Sequence, residues 1–222
     1  MSRVYIPASS VDQWAQFLAE PVKQWQRGFS ARTLAHSWQE SDGFPPEIES
    51  VLTPRFPSLE LLLAFPEHKV ALPGSSRSSQ NDVWALARTE GGLISIAVEG
   101  KVSEPFGPTI QEWQEKSSPG KAKRLNYLLS LLNFPSVPDT IRYQLLHRTA
   151  SAIIEARRFH AAHAVMLVHS FSRTSEWFHD YATFVSMFGF NALKDTIVSI
   201  GIRSGVFLHF GWVGGDERCL NK

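Results

Sequence analysis

Hydrophobic and polar positions along the chain follow two periods, one typical of helices and one typical of strands. Apolar residues at helical spacing, bounded by capping residues or prolines, predict helices over 9–26, 31–41, 45–53, 110–116, 121–132, 139–159 and 175–190. Pro21 should bend or divide the first of these helices. Runs of mainly apolar residues predict strands over 59–72 and 163–171, and strand pairs over 81–102 and 196–213, with a turn near Ser204-Gly205 in the last pair. This order predicts an α/β fold with a mixed central sheet flanked by helices, with additional N-terminal helices and a C-terminal hairpin.

Composition indicates an ordinary globular protein. The chain has 222 residues, of which 43% are hydrophobic and 19% are charged, so it can bury one substantial core. We therefore expect a single domain over 1–222, with an N-terminal helical part (1–55), a core (56–172) and a C-terminal helix and hairpin (173–222).

Charge and cysteine content exclude several classes of protein. The net charge of +1 gives no global field that would favour nucleic acid or a membrane, so either partner would need a local patch. A single cysteine, Cys219, excludes an internal disulfide framework and a thiolate zinc site. The N-terminus lacks the apolar core of a signal peptide, and no apolar run reaches the roughly 18 residues of a membrane span. These features predict a soluble, cytoplasmic protein without a membrane partner.

The stretch "NDVWALARTEGGLISIAVEGKV" (81–102) reads as a β-hairpin with charges at one end. A two-residue turn at Glu90-Gly91 would place Asp82 opposite Glu99, and a turn at Gly91-Gly92 would place it opposite Lys101. A three-residue turn would set Asp82 against Gly100 instead. Because side chains alternate along a strand, Glu99 and Lys101 should share one face with Leu93, Ser95 and Ala97, and the other face should carry Ile94, Ile96 and Val98.

Two carboxylates and an ammonium group at one end of a sheet suit metal-dependent phosphodiester hydrolysis. Mg²⁺ takes oxygen ligands at about 2.0 to 2.1 Å, usually from one or two carboxylates, waters and substrate phosphate oxygens. Asp82 and Glu99 fit this ligand role. Lys101 could orient or deprotonate the attacking water, or stabilise the charge that develops on the phosphorus centre.

These residues resemble the PD-(D/E)XK, or restriction-endonuclease-like, nuclease superfamily. Asp82 stands seventeen residues before "EGK", with a hairpin between them and a helix and a strand after them. The resemblance implies an αβββαβ-type core over 56–172, in which Asp82 and Glu99 bind Mg²⁺ or Mn²⁺ and Lys101 assists the water. Asn81 stands where the proline of the motif's name would be. Several members also carry Gln-x-x-x-Tyr on the following helix, which maps Gln144 to a catalytic role and puts Arg148 at the tyrosine position.

A second resemblance covers more of the chain but implies no activity. The blocks "FPEHKVALPG", "VEGKVSEPFGPT", "RYQLLHRTASA" and "VHSFS" resemble a bacterial family of uncharacterised proteins.

A third metal ligand has two candidates. Glu67 follows a strand-like run and could complete the site, although it could equally pair with Lys69 or Arg77 at a strand end. Glu47, on a predicted helix, competes for the same role. The tripeptide Glu-x-Lys carries no weight alone, because it occurs about once by chance in such a chain and Glu67-His68-Lys69 is a second copy.

Two groups of residues are candidates for contacts with nucleic acid. Gln144, Arg148, Ser151 and Glu155 form a polar stripe on the 139–159 helix, for which a solvated face is the default. If the stripe faces the sheet, Gln144 and Arg148 could hold a phosphate, which suits the planar guanidinium. A basic cluster could contact the phosphate backbone, although such clusters are more often merely surface; it comprises Lys116, Lys121, Lys123 and Arg124.

Other chemistries have weaker signals. His160 and His163 straddle a helix–strand junction, where two imidazoles rarely meet on one zinc ion. No Gly-x-Ser-x-Gly elbow indicates a serine hydrolase, and "PGSSRSS" lacks the Lys-Ser/Thr ending of a phosphate-binding loop. Trp212 is interpreted as core rather than as an exposed stacking residue.

The sequence therefore predicts a Mg²⁺- or Mn²⁺-dependent nuclease acting on DNA or RNA. The alternative is a catalytically inactive member of the same fold that serves as a protein-interaction or nucleic-acid-binding module. The near-neutral charge also favours a homodimer or a protein partner that would supply affinity.

Overall fold

The structure of the protein is a computed structural model that describes residue 8 and residues 10–222. Its strands are β1 Glu60–Val70, β2 Ser79–Thr89, β3 Gly92–Lys101, β4 His163–Ser170, β5 Thr196–Arg203 and β6 Val206–Gly214. Its α-helices are α1 Pro21–Gln24, α2 Ser30–Gln39, α3 Pro46–Leu52, α4 Ile110–Gln114, α5 Pro119–Leu132, α6 Tyr143–Arg158 and α7 Phe178–Ser186. Short 3-10 helices cover Val11–Phe17 and Glu217–Asn221.

The six strands form one mixed sheet in the order β1-β2-β3-β4-β6-β5. The first three are antiparallel neighbours, β4 is parallel to both β3 and β6, and β5 returns antiparallel to β6. A parallel neighbour requires a long crossover, and α4, α5 and α6 lie in the one between β3 and β4. The predicted α/β class is confirmed, with a mixed sheet flanked by helices, N-terminal helices and a C-terminal hairpin.

Two prolines affect their elements differently. Pro21 divides the first predicted helix, since the 3-10 helix ends at Phe17 and α1 begins at Pro21. Pro66, by contrast, lies within β1, opposite Val83. Strand β1 is at the edge of the sheet, where a missing N–H need not cost a ladder hydrogen bond.

The long helix begins later than its pattern indicates. The sequence predicts that this helix starts at Pro138 and Asp139, but α6 begins at Tyr143. The preceding backbone pairs with another segment, because Ile141 accepts a hydrogen bond from the Ile110 N–H and Arg142 forms a bridge with Thr109. Those contacts hold residues 139–142 outside the helix.

The hairpin adopts the first of the predicted registers. Residue numbers of paired positions add to 181, as in Val83 with Val98 and Thr89 with Gly92, so the turn is Glu90-Gly91. Continuing this register places Asp82 across from Glu99.

Each face of the sheet has its own apolar core. On one face, Ala97 packs with α5, α6 and α7 through residues such as Leu128 and Ile153. On the other face, the core includes Ile94, Ile96 and Val98, together with α2 and α3. The predicted alternation of β3 is therefore confirmed, and it directs Glu99 and Lys101 toward α6. None of the described helices is both long and apolar enough to cross a membrane.

Candidate active site

A cleft of about 550 Å³ opens at the end of β3 where Glu99 and Lys101 lie. Its walls are β1, β2, β3, α6 and a segment that precedes and enters α2. We call it the Asp82 cleft, and its polar lining comprises Glu20, Lys23, Gln24, Ser30, Glu67, Gln80, Asp82, Glu99, Lys101, Glu104, Gln144 and Arg148. The structure thus brings together the predicted catalytic residues, the predicted metal ligands and one of the predicted phosphate-binding residues.

Glu99 is at the centre of the cluster and is only 2% exposed. Its Oε1 accepts hydrogen bonds from Lys101 Nζ at 2.6 Å and Gln144 Nε2 at 2.7 Å. Its Oε2 accepts from Arg148 Nε at 2.5 Å. Burial opposes ionisation of Glu99, but the two cations outweigh it and hold the pKa of this carboxyl below its ordinary value. Glu99 is therefore a buried, ionised carboxylate.

Lys101 and Arg148 are buried as deeply as their anion, at 4% and 6% exposure. Lys101 follows Glu99 by two residues, so both side chains project from the same face of β3, and its Nζ also lies 4.9 Å from the centre of the Phe106 ring. Removing such ions from water costs several kcal/mol each, which their mutual attraction only partly returns. Buried charge clusters that line a cleft are accordingly candidates for functional sites.

Asp82 lies beside Glu99 with fewer partners. Its Oδ2 accepts the backbone N–H of Gly100 at 2.8 Å, and its Oδ1 lies 3.7 Å from Arg148 Nη2. Burial, followed by the negative charge of Glu99, raises the pKa of Asp82 to about 7. Asp82 is thus harder to ionise than Glu99.

Glu67 lines the same cleft from β1. It lies between the pairs Pro66/Val83 and His68/Asn81, which puts it across from Asp82, and its backbone is left-handed, with a φ of 53°. Its Oε2 accepts from Gln80 Nε2 at 2.6 Å. Burial and then the charge of Asp82 raise the pKa of Glu67 to about 8. Glu67 therefore has Gln80 as its hydrogen-bond partner, rather than Lys69 or Arg77.

The polar stripe on α6 is not solvated, contrary to the default expectation. Arg148, Ser151 and Glu155 are buried, and Gln144 is half-buried in the cleft. Ser151 Oγ donates to the carbonyl of His147, while Glu155 lies 3.5 Å from His68 Nε2 and 3.6 Å from Arg158 Nη1. The helix lies across β3 and β4, so this face meets the sheet instead of water.

Two residues that support Arg148 were missed in the sequence. Ser79 Oγ lies 3.3 Å from Arg148 Nη1 and 2.7 Å from His147 Nδ1. Burial, with a contribution from Arg148, keeps the pKa of His147 well below its ordinary value, so the imidazole is neutral. His147 directly precedes Arg148, but its link to Ser79 depends on how α6 packs against β2.

The predicted basic cluster lies outside the Asp82 cleft. Arg124 is buried and donates hydrogen bonds to the carbonyls of Leu72, Pro73, Ser75 and Arg77, which fixes the 73–77 loop. Lys121 donates to the carbonyl of Trp113. Lys116 and Lys123 are exposed. The guanidinium of Arg124 is thus occupied by hydrogen bonds to backbone carbonyls. The four residues of the predicted basic cluster therefore do not form one exposed basic surface.

The remaining candidates also lie elsewhere. Glu47 hydrogen-bonds His169 Nε2 at 2.9 Å and lines a different cavity, so it is not a ligand candidate for this cleft. His163 hydrogen-bonds His209 at 3.0 Å, and His209 in turn contacts Ser199 Oγ at 2.9 Å. Trp212 is buried, as predicted for a core residue.

The Asp82 cleft fits a hard cation in the kind of donor it offers. Mg²⁺ needs only one or two protein carboxylates, and Asp82 and Glu99 supply that number. Gln144 Oε1 is buried without a hydrogen-bond partner within the described residues, which leaves an acceptor available to a bound water. In residue 8 and residues 10–222, however, no three Asp, Glu, His or Cys side chains converge to hold a metal ion. The expected third ligand, Glu67, is therefore not in a ligating arrangement with the other two carboxylates.

Comparison with known proteins identifies a family but no activity. Residues 7–217 match the domain of unknown function DUF6946, and because the match covers nearly the whole chain, the protein belongs to this family. Neither the curated proteins nor the solved structures contain a match.

Proposed function

For a member of a family without a known activity, we propose metal-dependent hydrolysis of phosphodiester bonds in DNA or RNA. The observation that carries the proposal is the buried cluster of Glu99, Lys101 and Arg148, which lies with the half-buried Gln144 in a cleft beside Asp82. Asp82 and Glu99 hold Mg²⁺ or Mn²⁺, and Lys101 acts on the attacking water. Gln144 positions that water, and Arg148 contacts the phosphate.

The order of elements supports this proposal. Three antiparallel strands are followed by a helical crossover and a fourth strand parallel to the third, which is the arrangement expected of a PD-(D/E)XK core. Asp82 and Glu99 then fall across from each other on neighbouring strands, and Lys101 is two residues further along the same face. A hairpin end with only a structural role would not need to bury these charges.

Each proposed role follows from a contact. Lys101 Nζ is within 2.6 Å of Glu99, so its ammonium lies beside a proposed metal-ligating carboxylate, where it can orient the attacking water and stabilise negative charge as it develops on the phosphate. Gln144 donates its amide to Glu99 and retains a buried, unpaired carbonyl oxygen that can accept a hydrogen bond from water. The metal, when bound, lowers the pKa of a water so that it can attack at neutral pH.

The test measures metal binding before cleavage. Mn²⁺ is titrated into the purified protein, and free Mn²⁺ is followed by its paramagnetic resonance signal, for the wild type, Asp82→Asn and Glu99→Gln. Glu90→Gln is the matched control, because Glu90 is at the opposite, exposed end of the same hairpin and hydrogen-bonds only Ser58 among the partners described. We expect binding by the wild type and the control, and loss in both cleft variants.

The same four proteins are then assayed on single- and double-stranded DNA and RNA with Mn²⁺. Cleavage by the wild type and the control, but by neither cleft variant, supports the proposal. Equal Mn²⁺ binding by all four proteins, with no carboxylate-dependent cleavage, contradicts it.

One observation favours the alternative of a catalytically inactive binding module. Both oxygens of Glu99 are already in contact with protein donors, so the cluster is electrostatically satisfied without a metal. Under this alternative, Glu99→Gln would leave nucleic-acid or protein binding intact.

A further inference from the structure

The guanidinium group of Arg148 lies between the two proposed metal ligands. Its Nε donates to Glu99 Oε2 at 2.5 Å, and its Nη2 is 3.7 Å from Asp82 Oδ1. The side chain is 7% exposed, so little water screens these contacts. Arg148 therefore supplies positive charge at the position where a bound metal would supply it.

Lys101 does not duplicate this arrangement. Its Nζ contacts Glu99 Oε1, and no described ion pair joins it to Asp82. Arg148 is thus the cation that bridges both carboxylates. Its third contact is a neutral one, with Ser79 Oγ at 3.3 Å. A phosphodiester group could replace the carboxylates as its partner, because the planar guanidinium donates two parallel hydrogen bonds to phosphate oxygens.

We propose that Arg148 is an exchangeable cation, which pairs with Asp82 Oδ1 and Glu99 Oε2 until a phosphodiester draws it away and frees these two oxygens for a divalent metal. This inference rests on the proposed function and adds that phosphodiester binding promotes metal binding. Without substrate, Arg148 competes with the metal for the same two carboxylates, since like charges repel at short range. With substrate, that competition is relieved.

Metal and phosphodiester consequently bind with positive cooperativity. Each should raise the affinity for the other by the same factor, because coupling between two binding equilibria is reciprocal. Such couplings are typically about 5- to 150-fold.

The first test uses the wild-type protein alone. Mn²⁺ affinity is measured with and without dimethyl phosphate, a phosphodiester that carries no base, and the titration is repeated on Glu99→Gln to subtract Mn²⁺ bound by dimethyl phosphate itself. We expect the affinity of the wild type for Mn²⁺ to rise at least about fivefold. An unchanged affinity overturns the proposal, whatever the variants do.

The second test removes the competing cation. Arg148→Gln should bind Mn²⁺ at least about tenfold more tightly than the wild type without dimethyl phosphate, and the effect of dimethyl phosphate should largely disappear. Arg142→Gln is the matched control, because Arg142 also belongs to the α6 region but pairs with Asp180 and does not line the cleft. This control should behave as the wild type does.

The outcomes separate this inference from the proposed function. If the wild type and Arg148→Gln bind Mn²⁺ with equal affinity and this binding depends on the carboxylates, the exchange of Arg148 is rejected. The proposed metal site is then retained. Absence of carboxylate-dependent binding in every protein, with and without dimethyl phosphate, rejects both.

Discussion

Two cavities of similar size are both lined by several carboxylates, but the surroundings of several of those carboxylates shift their pKa values in opposite directions. The Asp82 cleft, about 550 Å³, contains the cluster of Glu67, Asp82 and Glu99, with Glu20 and Glu104 elsewhere in its lining. The second, about 580 Å³, lies between α2, α3 and the C-terminal 3-10 helix and contains Glu40, Glu47 and Asp216; we call it the Glu47 cavity.

In the Glu47 cavity, every carboxylate has its own partner. Glu40 contacts His36 and Lys222, Glu47 contacts His169, and Asp216 contacts Arg218. The pKa of each carboxyl is lowered: side-chain hydrogen bonds dominate for Glu40 and Asp216, and in Glu47 the bond with His169 and smaller contributions outweigh burial.

In the Asp82 cleft, Asp82 and Glu99 share Arg148, and Glu67 and Asp82 each lie next to another carboxylate that disfavours their ionisation. Burial and neighbouring negative charge raise the pKa of Asp82 to about 7 and that of Glu67 to about 8. The pKa of Glu99 is lowered instead, because its hydrogen-bonded partners Arg148 and Lys101 outweigh burial. The difference teaches that the presence of carboxylates in a cavity does not by itself indicate a functional site. An uneven distribution of countercharge identifies a candidate site, because charge pairing that served stability alone would be more even.

The largest expected effect comes from removing Glu99. Glu99→Ala leaves Lys101 and Arg148 buried near each other without their anion, so we expect the free energy of unfolding to fall by about 3–5 kcal/mol. Urea denaturation of the variant and the wild type measures the loss. A loss below about 1 kcal/mol, the usual range of an exposed ion pair, would contradict the description of Glu99 as the centre of a buried charge cluster.

A smaller effect, with a distinctive pH dependence, is expected for Asp82→Asn. The folded state holds the Asp82 proton up to about pH 7, whereas the ordinary pKa is 3.8, so the contribution of Asp82 to stability falls as the pH rises through this window. The variant removes this penalty and should therefore gain stability relative to the wild type between pH 5 and pH 8, by about 1–3 kcal/mol after screening of the partly exposed side chain.

Urea denaturation in the presence of EDTA at pH 5 and pH 8 checks this expectation, with Glu47→Gln as the comparison. The lowered pKa of Glu47 means that its contribution is present above the ordinary pKa and is lost as the pH falls, so Glu47→Gln should lose stability relative to the wild type at pH 8. The same sign for both variants would contradict the assignment of opposite environments.

The smallest effect is expected for Glu40→Gln. Its carboxylate is nearly half exposed and pairs with His36 and Lys222 at the protein surface. We expect a loss below about 1 kcal/mol that shrinks further at high salt. Denaturation in low and high NaCl measures it, and a loss as large as that of Glu99→Ala would remove the distinction between the cavities.

Much of the fold could be predicted because its signals are local. The alternation of Ile94, Ile96 and Val98 follows from the geometry of a strand, and Pro21 divides a helix wherever that helix packs. The register of the hairpin was less certain, because "EGG" allows more than one turn that is locally acceptable. Only the pairing of Val83 with Val98 fixed Asp82 across from Glu99.

The residues of the candidate site likewise include some that local signals could predict and others that they could not. Asp82, Glu99 and Lys101 could be grouped from the sequence because period-two alternation and one tight turn determine their positions. Arg124 was misleading, because its basic neighbours indicated a surface patch while its guanidinium in fact binds the carbonyls of the 73–77 loop.

The sequence by itself determined which charged residues exist and which strand faces present them, since both follow from local periodicity. The tertiary structure decided which charges neutralise one another. Arg148 reaches Glu99 only because the crossover places α6 against β3, and the partner of a charge depends on distance in space rather than on separation along the chain.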